Sequence, residues 1–176
     1  YRTLRRRAHV ESLQTGSFRR EVLERVGPFD ERLAVVEDLD MNTRIREAGY
    51  RLLLDPSIRF WYYPRPGYRA LWRQIFMVGR VKARILKKHP GIFKLKYVLP
   101  SAFVVAALAA LAATAVAALG GPALPGAAGL AFLAAYAAAA GAFAATRAGK
   151  LGWGALRLLG ILPVLHAGYG LGFLRG

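Results

Sequence analysis

Three carboxylates within a span of four residues are the side chains of this sequence best suited to acid–base chemistry. Glu37, Asp38 and Asp40 open a segment of helical periodicity that ends at Gly49. This pattern predicts a helix that begins at the carboxylates and ends in a left-handed cap at Gly49. Carboxylates in a first helical turn interact favourably with the helix dipole, so they serve either as capping residues or as a general base. The spacing alone is compatible with both roles.

The composition divides the chain into two halves that differ in chemistry. The 176 residues carry a formal net charge of +16 and contain no cysteine, which excludes a disulfide framework and a thiolate metal site. His9 and His89 lie among basic residues without a ligand at metal-binding spacing. The sequence is charged and mixed up to about His89, whereas Ala, Leu, Gly and Val dominate from Tyr97 onward. We therefore expect a water-soluble half followed by a membrane half.

Three apolar stretches of the second half are long enough to cross a membrane, since a helix of about 20 apolar residues spans the hydrocarbon core. They are residues 97–119, 127–145 and 152–174, and the segment Gly120–Gly126 predicts a tight turn between the first two. A buried helical hairpin in a soluble protein is the alternative, but a domain this small cannot fully bury three uncharged helices. His166 lies in the last stretch, where we expect it to pack or to meet lipid headgroups.

The basic residues lie mainly before and between the predicted spans, and their position decides how the net charge is interpreted. Many fall within residues 68–96, where attraction to anionic lipid headgroups is worth about 1 kcal/mol per Lys or Arg. Residues 68–86 have apolar side chains at helical spacing with cations on the other side, which predicts an interfacial amphipathic helix. No nucleic-acid-binding motif is present, so we expect membrane lipids and no nucleic acid as partners.

The same basic residues predict the orientation of the chain, because Lys and Arg collect on the cytoplasmic side of spanning helices. They precede the first predicted span and return at Arg147, Lys150 and Arg157, whereas the turn at 120–126 has no charge. We expect a multi-pass protein of the inner (plasma) membrane with its first half in the cytoplasm.

Three motifs of the first half follow one another in a specific order. Thr15-Gly16-Ser17-Phe18 precedes a short predicted helix, Gly27-Pro28-Phe29-Asp30-Glu31 forms a turn, and Glu37-Asp38 opens the helix that closes in Ala48-Gly49-Tyr50. This order resembles the C-terminal half of the catalytic domain of family 2 glycosyltransferases. The resemblance implies an α/β fold class for residues 1–66, as part of a GT-A-like nucleotide-sugar transferase domain. The basic interface helix then occupies residues 67–96, and a membrane domain with three spans occupies residues 97–176.

The resemblance implies an inverting sugar transfer, in which a carboxylate accepts the proton of an acceptor hydroxyl as that oxygen attacks the anomeric carbon. It assigns the base to Asp38 and a positioning role to Glu37, which is also the alternative base. It places Gly16 and Ser17 in a loop that approaches the donor or the acceptor. Asp40 is expected to cap the helix or to pair with the arginine one turn later, Arg44.

The basic helix contains further motifs that indicate acceptor binding. Trp72-Arg73-Gln74 and Gly79-Arg80 look like patterns of exopolysaccharide glycosyltransferases of the succinoglycan type, and this resemblance implies that Arg73, Gln74 and Arg80 contact substrate. The Gln-x-x-Arg-Trp motif of processive polymerases is not matched, because residues 77 and 78 are Met and Val. A cellulose- or hyaluronan-type polymerase is therefore disfavoured. Anchoring at the membrane surface is the structural alternative for each of these residues.

Residues 55–66 are predicted to form a strand followed by a turn bounded by prolines. Many family members place a histidine that contacts metal or phosphate near the end of this strand, whereas this chain has Trp and Tyr at positions 61–63. Arg65 is a candidate for a diphosphate contact, and a solvated arginine is the alternative.

Family 2 catalytic domains begin with a nucleotide-binding half whose Asp-x-Asp motif holds a divalent metal. This chain has that pattern only at Asp38-Leu39-Asp40, within the later acidic motif. We therefore expect part of a longer bacterial protein that is inactive alone, with Mg or Mn held mostly by residues outside this chain. The expected substrates are a nucleotide-sugar donor and a lipid-linked or glycan acceptor. A non-catalytic membrane anchor or interaction module remains open, and a small transporter is disfavoured because the spans have few ionisable residues.

Overall fold

The computed structural model describes residues 6–59, 61–63 and 66–176, and these residues are mostly helical. The helices are α1 (Arg20–Val26), α2 (Glu37–Glu47), α3 (Tyr68–Lys88), α4 (Leu99–Ala118), α5 (Ala123–Leu151) and α6 (Leu158–Leu174). Short 3-10 segments cover Pro90–Ile92, Leu95–Tyr97 and Gly152–Arg157. Strands β1 (Ala8–Val10) and β2 (Leu52–Leu54) pair antiparallel, with Ala8 opposite Leu54.

The predicted α/β class is not shown by the residues that the structure describes. An α/β domain is built on parallel strands that are connected through helices. The described strands are two, each has three residues, and they are antiparallel. What the structure establishes is a mostly helical chain with one short strand pair.

The chain forms two compact units. The first unit comprises the residues before Pro66 together with Val81–Phe93, and the second comprises Pro66–Arg80 together with Lys94–Gly176. Helix α3 was predicted from its amphipathic pattern and is confirmed, and it contributes residues to both units.

The core of the first unit is small and is built around α2. Its fully packed side chains are Val22 of α1, Met41 and Ile45 of α2, and Leu52 of β2. Helix α2 ends as the sequence predicted, because Gly49 has φ of 88° and the Tyr50 amide donates to the Ile45 carbonyl oxygen. Helix α2 is therefore fixed to this core through Met41 and Ile45.

The strand predicted for residues 55–66 is wrong for the residues described in that segment. The strand ends at Leu54, and residues 55–59 and 61–63 form a turn and irregular structure. The Asp55 carboxylate accepts hydrogen bonds from the Ser57 amide (3.0 Å) and the Ser57 hydroxyl (2.7 Å), which closes a turn. Pro56 supports this turn, since it has no N–H for a strand ladder. The predicted diphosphate contact Arg65 lies outside the described residues.

Helices α4 and α5 of the second unit pack together through small residues. A Cβ atom at Gly126 would collide with the Ala117 side chain, and one at Gly129 would lie 2.5 Å from the Ala110 carbonyl oxygen. Thr114 donates a hydrogen bond to the Ala110 carbonyl oxygen at 2.8 Å. Such close approach of backbones is the usual way in which helices associate within a membrane.

Helix α6 packs against α4 and against the first part of α3. The Ser101 hydroxyl donates to the Gly170 carbonyl oxygen (3.3 Å), so α6 meets α4 near the start of α4. Gly168 lies against Trp72 and Ile75, and Gly172 lies against the Phe76 backbone. The contacts advance in the same direction along both helices, so α6 and this part of α3 run parallel.

Two helical stretches of the described residues are long and apolar enough to cross a membrane, Leu99–Ala118 and Ala123–Leu174. The second stretch contains a break, since Gly152 has φ of 52° and Gly152–Arg157 is a 3-10 segment. The turn predicted at Gly120–Gly126 is shorter than expected, because α5 begins at Ala123 and includes Pro125 in its first turn, where proline is tolerated. Three separate spans are not shown.

Candidate active site

The three carboxylates at the start of α2 have three different environments. The Glu37 side chain is exposed, Asp38 is half-buried, and Asp40 is fully buried with 0% exposure. The helix causes this difference, because its 100° rotation per residue turns adjacent side chains to different sides. Although the carboxylates are neighbours in sequence, they are therefore not equivalent chemically.

Asp40 is held in a network of positive and polar groups. Its carboxylate lies 2.9 Å from Arg44 Nε, 2.7 Å from Lys88 Nζ and 3.1 Å from His89 Nε2. Burial raises the pKa of the Asp40 carboxyl, but the hydrogen bonds from Lys88, His89 and Arg44 outweigh burial and lower the pKa. The predicted pairing of Asp40 with Arg44 is confirmed. The carboxylate oxygens of Asp40 are therefore occupied by structural contacts.

His89 makes a structural contact with α2 that sequence reasoning missed. It is buried, and while its Nε2 contacts Asp40, its Nδ1 lies 3.1 Å from Glu47 Oε1. Glu47 and Asp40 are two turns apart on α2, so the single ring bridges one face of that helix. The sequence gives no signal for this contact, because His89 and Glu47 are 42 residues apart and no local pattern connects them.

Arg44 ties α2 to the turn that follows α1. Its guanidinium donates to the carbonyl oxygens of Val26, Gly27 (3.2 Å) and Pro28 (2.8 Å). Gly27 has φ of 81°, which directs these carbonyl groups towards one side. The turn at Gly27-Pro28, which belongs to the second of the three motifs of the first half, thus positions helix α2.

Asp38 has a different environment from Asp40, since Lys82 acts on its carboxylate through its charge. Its Oδ1 accepts a hydrogen bond from the Leu39 amide at 2.8 Å. Burial raises the pKa of the Asp38 carboxyl, and the adjacent charge of Glu37 raises it further. The hydrogen bond from the Leu39 amide and the charge of Lys82 lower the pKa, but the net shift is upward. A half-buried carboxylate with a raised pKa can accept a proton from a substrate that approaches from solvent.

The residue before this pair has an unusual backbone conformation. Val36 has φ of 61° and ψ of 16°, and it is the one residue other than glycine with positive φ among those described. The left-handed region is unfavourable for a β-branched side chain, and such strain concentrates at functional sites. Val36 stands directly before Glu37 and so determines where the first turn of α2 begins.

The loop residues Gly16 and Ser17 lie in the first unit and are exposed. A Cβ atom at Gly16 would lie 2.8 Å from the ring of Phe18, which packs edge-on against Phe29 at 6.1 Å between centroids. Gly16 therefore has a structural role, since it leaves room for the Phe18 ring. The structure assigns no chemical role to Ser17.

The predicted acceptor-binding residues lie in the first part of α3 and belong to the second unit. Arg73 is exposed, and Gln74 and Arg80 are half-buried. The Arg80 Nε atom is buried without a hydrogen-bond partner in the described structure, which is uncommon for a donor of this kind. The structure brings these three residues onto one helix.

Neither the described carboxylates nor the described histidines form a metal site. No group of three His, Cys, Asp or Glu side chains in the part of the chain that the structure describes could hold a metal ion. His166 packs as predicted, with Nδ1 3.0 Å from the Tyr136 hydroxyl and its ring beside Phe103. Trp61, which stands near the position of the expected histidine, is 90% exposed.

Comparison with known proteins gives a partial match. The chain is similar to the succinoglycan biosynthesis protein ExoA of Rhizobium meliloti (strain 1021), with 35% identity over 82 residues. The match covers 47% of this chain and 25% of that curated relative, so the chain spans about a quarter of the relative's length. No family model and no solved structure matches. The similarity supports, over part of the chain, the glycosyltransferase-like relationship that the motifs predicted.

Proposed function

We propose that this chain is the C-terminal part of a membrane-bound inverting glycosyltransferase of family 2 with a GT-A-type catalytic domain. It would transfer a sugar from a nucleotide-sugar to a lipid-linked or polysaccharide acceptor during synthesis of exopolysaccharide or another cell-envelope glycan. The observation that carries this proposal is the 35% identity over 82 residues to a protein of succinoglycan biosynthesis. The different environments of Asp38 and Asp40 support it.

In this proposal Asp38 is the catalytic base. Its carboxylate accepts the proton of the acceptor hydroxyl, the hydroxyl oxygen forms a bond to the anomeric carbon, and the nucleoside diphosphate leaves from the opposite face with the bonding electrons. The Leu39 amide fixes the orientation of the carboxylate, and partial burial favours proton uptake. Glu37 positions Asp38 and reinforces its raised pKa. Asp40 holds the helix in place.

The remaining parts of the reaction are assigned by resemblance. Arg73, Gln74 and Arg80 would contact the acceptor, and Gly16 and Ser17 would line the loop near the donor or acceptor. Donor binding and a divalent metal, Mg or Mn, would depend mostly on residues outside this chain. The buried Arg80 Nε, which lacks a partner among the described residues, is consistent with a missing anionic or polar ligand.

Substitutions in the complete reading frame that encodes this chain test the proposal. Membranes with each variant are incubated with a panel of radiolabelled nucleotide-sugars that includes UDP-glucose, UDP-galactose and GDP-mannose, and label in lipid or glycan is counted. We expect Asp38→Asn to lower transfer by about 10²-fold or more, since general-base catalysis contributes about 10²–10⁴-fold. Glu37→Gln is the matched control, and we expect it to lower transfer far less.

The competing function is a non-catalytic membrane anchor or interaction module. It predicts that Asp38→Asn and Glu37→Gln leave transfer equal to that of the unmodified protein. Measuring transfer per molecule of folded protein separates the two functions.

We also propose that α4 and α5 cross the inner membrane, with the first unit on the cytoplasmic side, and that α6 crosses as a third span. The chain has no native cysteine, so single cysteines report sidedness directly. We expect a membrane-impermeant maleimide to label Leu119→Cys from outside and Lys150→Cys from the cytoplasm. A third crossing requires that Gly176→Cys be labelled from outside. Labelling of that site from the cytoplasm would make α6 a non-crossing helix.

A further inference from the structure

The imidazole ring of His89 lies between two carboxylates of α2 in the first unit. His89 Nε2 is 3.1 Å from Asp40 Oδ1, and His89 Nδ1 is 3.1 Å from Glu47 Oε1. The side chain of His89 is only 8% exposed, so water does not readily take the place of either partner. Asp40 and Glu47 are about two turns apart on α2, so both nitrogens of one ring are occupied along a single face of that helix.

This geometry determines the protonation state in which both contacts are hydrogen bonds. An ionised carboxylate only accepts hydrogen bonds, and a neutral imidazole has one N–H donor and one acceptor nitrogen. With a neutral ring between two ionised carboxylates, one of the two contacts would place a nitrogen lone pair against a carboxylate oxygen. The imidazolium donates from both nitrogens, so it is the form of His89 that satisfies both contacts.

The charged groups around the ring come from three segments. On α2, Arg44 Nε lies 2.9 Å from the second oxygen of Asp40. At the end of α3, Lys88 Nζ lies 2.7 Å from Asp40 Oδ1, the oxygen that His89 also contacts, and 3.4 Å from Asp30 in the turn after α1. Burial raises the pKa of the Asp40 carboxyl, but the hydrogen bonds that it accepts outweigh burial and lower the pKa. Asp40 therefore faces the ring as an anion.

The two carboxylates differ in what they lose when the ring becomes neutral. The Asp40 side chain is 0% exposed, so water cannot replace a lost donor, whereas the Glu47 side chain is 56% exposed and can be hydrated. Because an unsatisfied buried acceptor is costly, the neutral ring should keep its remaining proton on Nε2, which faces Asp40. The lone pair of Nδ1 then repels the carboxylate of Glu47, and this side chain moves into solvent.

We propose that His89 is a pH-sensitive clamp on the C-terminal end of α2, which the imidazolium closes and which opens at Glu47 when the ring loses its proton. Glu47 is the last residue of α2, where the Ala48 amide donates to the Arg44 carbonyl oxygen at 2.9 Å. Because the closed clamp holds a proton on the ring, its stabilisation is complete above the pH at which the carboxylates ionise and is lost as pH rises through the titration of the ring. The proposal concerns the folding of α2 and is independent of sugar transfer.

Two measurements on the full chain in detergent micelles, made from acid to alkaline pH, test the proposal. The nitrogen chemical shifts of the histidine rings distinguish the imidazolium from the two neutral tautomers, and His89 is assigned among the three histidines by its absence from His89→Gln. Protection of the Ala48 amide against hydrogen exchange, corrected for the intrinsic effect of pH, reports closure of the end of α2. We expect the ring to change from the imidazolium to the Nε2–H tautomer as pH rises, and the protection of Ala48 to fall severalfold over the same interval.

Glu47→Gln separates the clamp from a general effect of pH. A glutamine amide accepts a hydrogen bond from the imidazolium and donates one to the neutral ring, so this contact survives deprotonation. We expect the protection of Ala48 in this variant to change little with pH. Glu24→Gln removes the same charge from an exposed position of α1 and is the matched control, which is expected to keep the severalfold fall. Protection of Ala48 that persists after the His89 ring becomes neutral would overturn the proposal. A neutral ring with its proton on Nδ1, or a fall of equal size in Glu47→Gln, would also overturn it.

Discussion

The first unit holds its helix α2 with charged side chains, whereas the second unit holds its helices together with glycines. Around α2, Asp40 contacts three cationic or polar partners, and Arg44 reaches three backbone carbonyl oxygens. In the second unit, Gly129 and Gly170 lie within contact of the α4 backbone, and Gly172 lies against that of α3. Each unit thus uses an interaction that is scarce in the other.

The difference follows from the medium that each unit is suited to. All ten acidic residues of the chain lie at or before Asp55, so ion pairs are available to the first unit alone. In a lipid environment the burial of apolar side chains brings no hydrophobic stabilisation, because the surrounding lipid tails are equally apolar. Helices therefore associate there through close van der Waals packing. A single substitution in each unit should therefore act through a different mechanism.

The largest effect is expected where the ion pairs converge. Asp40→Ala leaves Arg44, Lys88 and His89 without their shared carboxylate, and removal of one partner from a buried ionic network costs about 3–5 kcal/mol. Hydrogen exchange of the α2 amides measures this loss locally. Glu21→Gln, in the exposed pair with Arg19, is the control and is expected to cost less than about 1 kcal/mol.

The pH dependence of the same variant gives a second check. Because the pKa of Asp40 is lowered by folding, its stabilisation is complete above the ordinary carboxyl pKa and is lost as pH falls through the folded value. The difference in free energy of unfolding between the unmodified chain and Asp40→Ala should therefore become smaller in acid. A difference that stays constant with pH would show that the carboxylate acts through packing.

The second effect is expected at a glycine contact. A Cβ atom at Gly172 would collide with the Phe76 carbonyl oxygen, so Gly172→Ala forces the two helices apart, at a cost of about 1–3 kcal/mol. Gly149→Ala is the matched control, since its Cβ meets no atom within 4 Å. There the better helix propensity of alanine should stabilise by about 0.5–1 kcal/mol. Thermal unfolding in detergent compares both, and equal effects would contradict the packing argument.

The helices could be predicted because their signals are local. Helix α2, its cap at Gly49 and the amphipathic helix α3 follow from periodicity and from single residues. The strand predicted after Asp55 fails because a side chain competes with the backbone ladder, as the two bonds from Ser57 show. The turn predicted before α5 was too long, because Pro125 interrupts a helix only beyond the first turn.

The candidate site could be predicted only in part. The spacing of Asp40 and Arg44 indicated their pair, but the contacts of Asp40 with Lys88 and His89 join residues 48 and 49 positions apart. No periodicity encodes such a contact. The different burial of Asp38 and Asp40 also depends on which face of α2 meets the core, which the mixed sequence of this helix does not define.

A smaller effect is expected from the strained backbone at Val36. Glycine adopts φ of 61° without steric cost, so Val36→Gly relieves strain that is worth about 1–3 kcal/mol and loses part of this gain to chain entropy. We expect a net stabilisation of about 1 kcal/mol, measured by urea unfolding. Val35→Gly is the control, since it has no positive φ to relieve and should destabilise. If both variants destabilise, Val36 contributes packing that outweighs its conformation.

The smallest effect on stability, and the sharpest contrast with Asp40, is expected at Asp38. Folding raises the pKa of Asp38, so its ionised form is less favourable in the folded state than in the unfolded state. Stability is therefore lost as pH rises from the ordinary carboxyl pKa through the folded value, which is the reverse of Asp40. Asp38→Asn keeps the acceptor oxygen for the Leu39 amide and removes the charge, so we expect it to stabilise the chain at neutral pH by less than about 1 kcal/mol. Unfolding measured across acid and neutral pH should show this gain only at the higher pH. A variant that is more stable and yet inactive in sugar transfer would mean that Asp38 is retained for chemistry, whereas one that is destabilised at neutral pH would return it to the capping role that its position alone suggests.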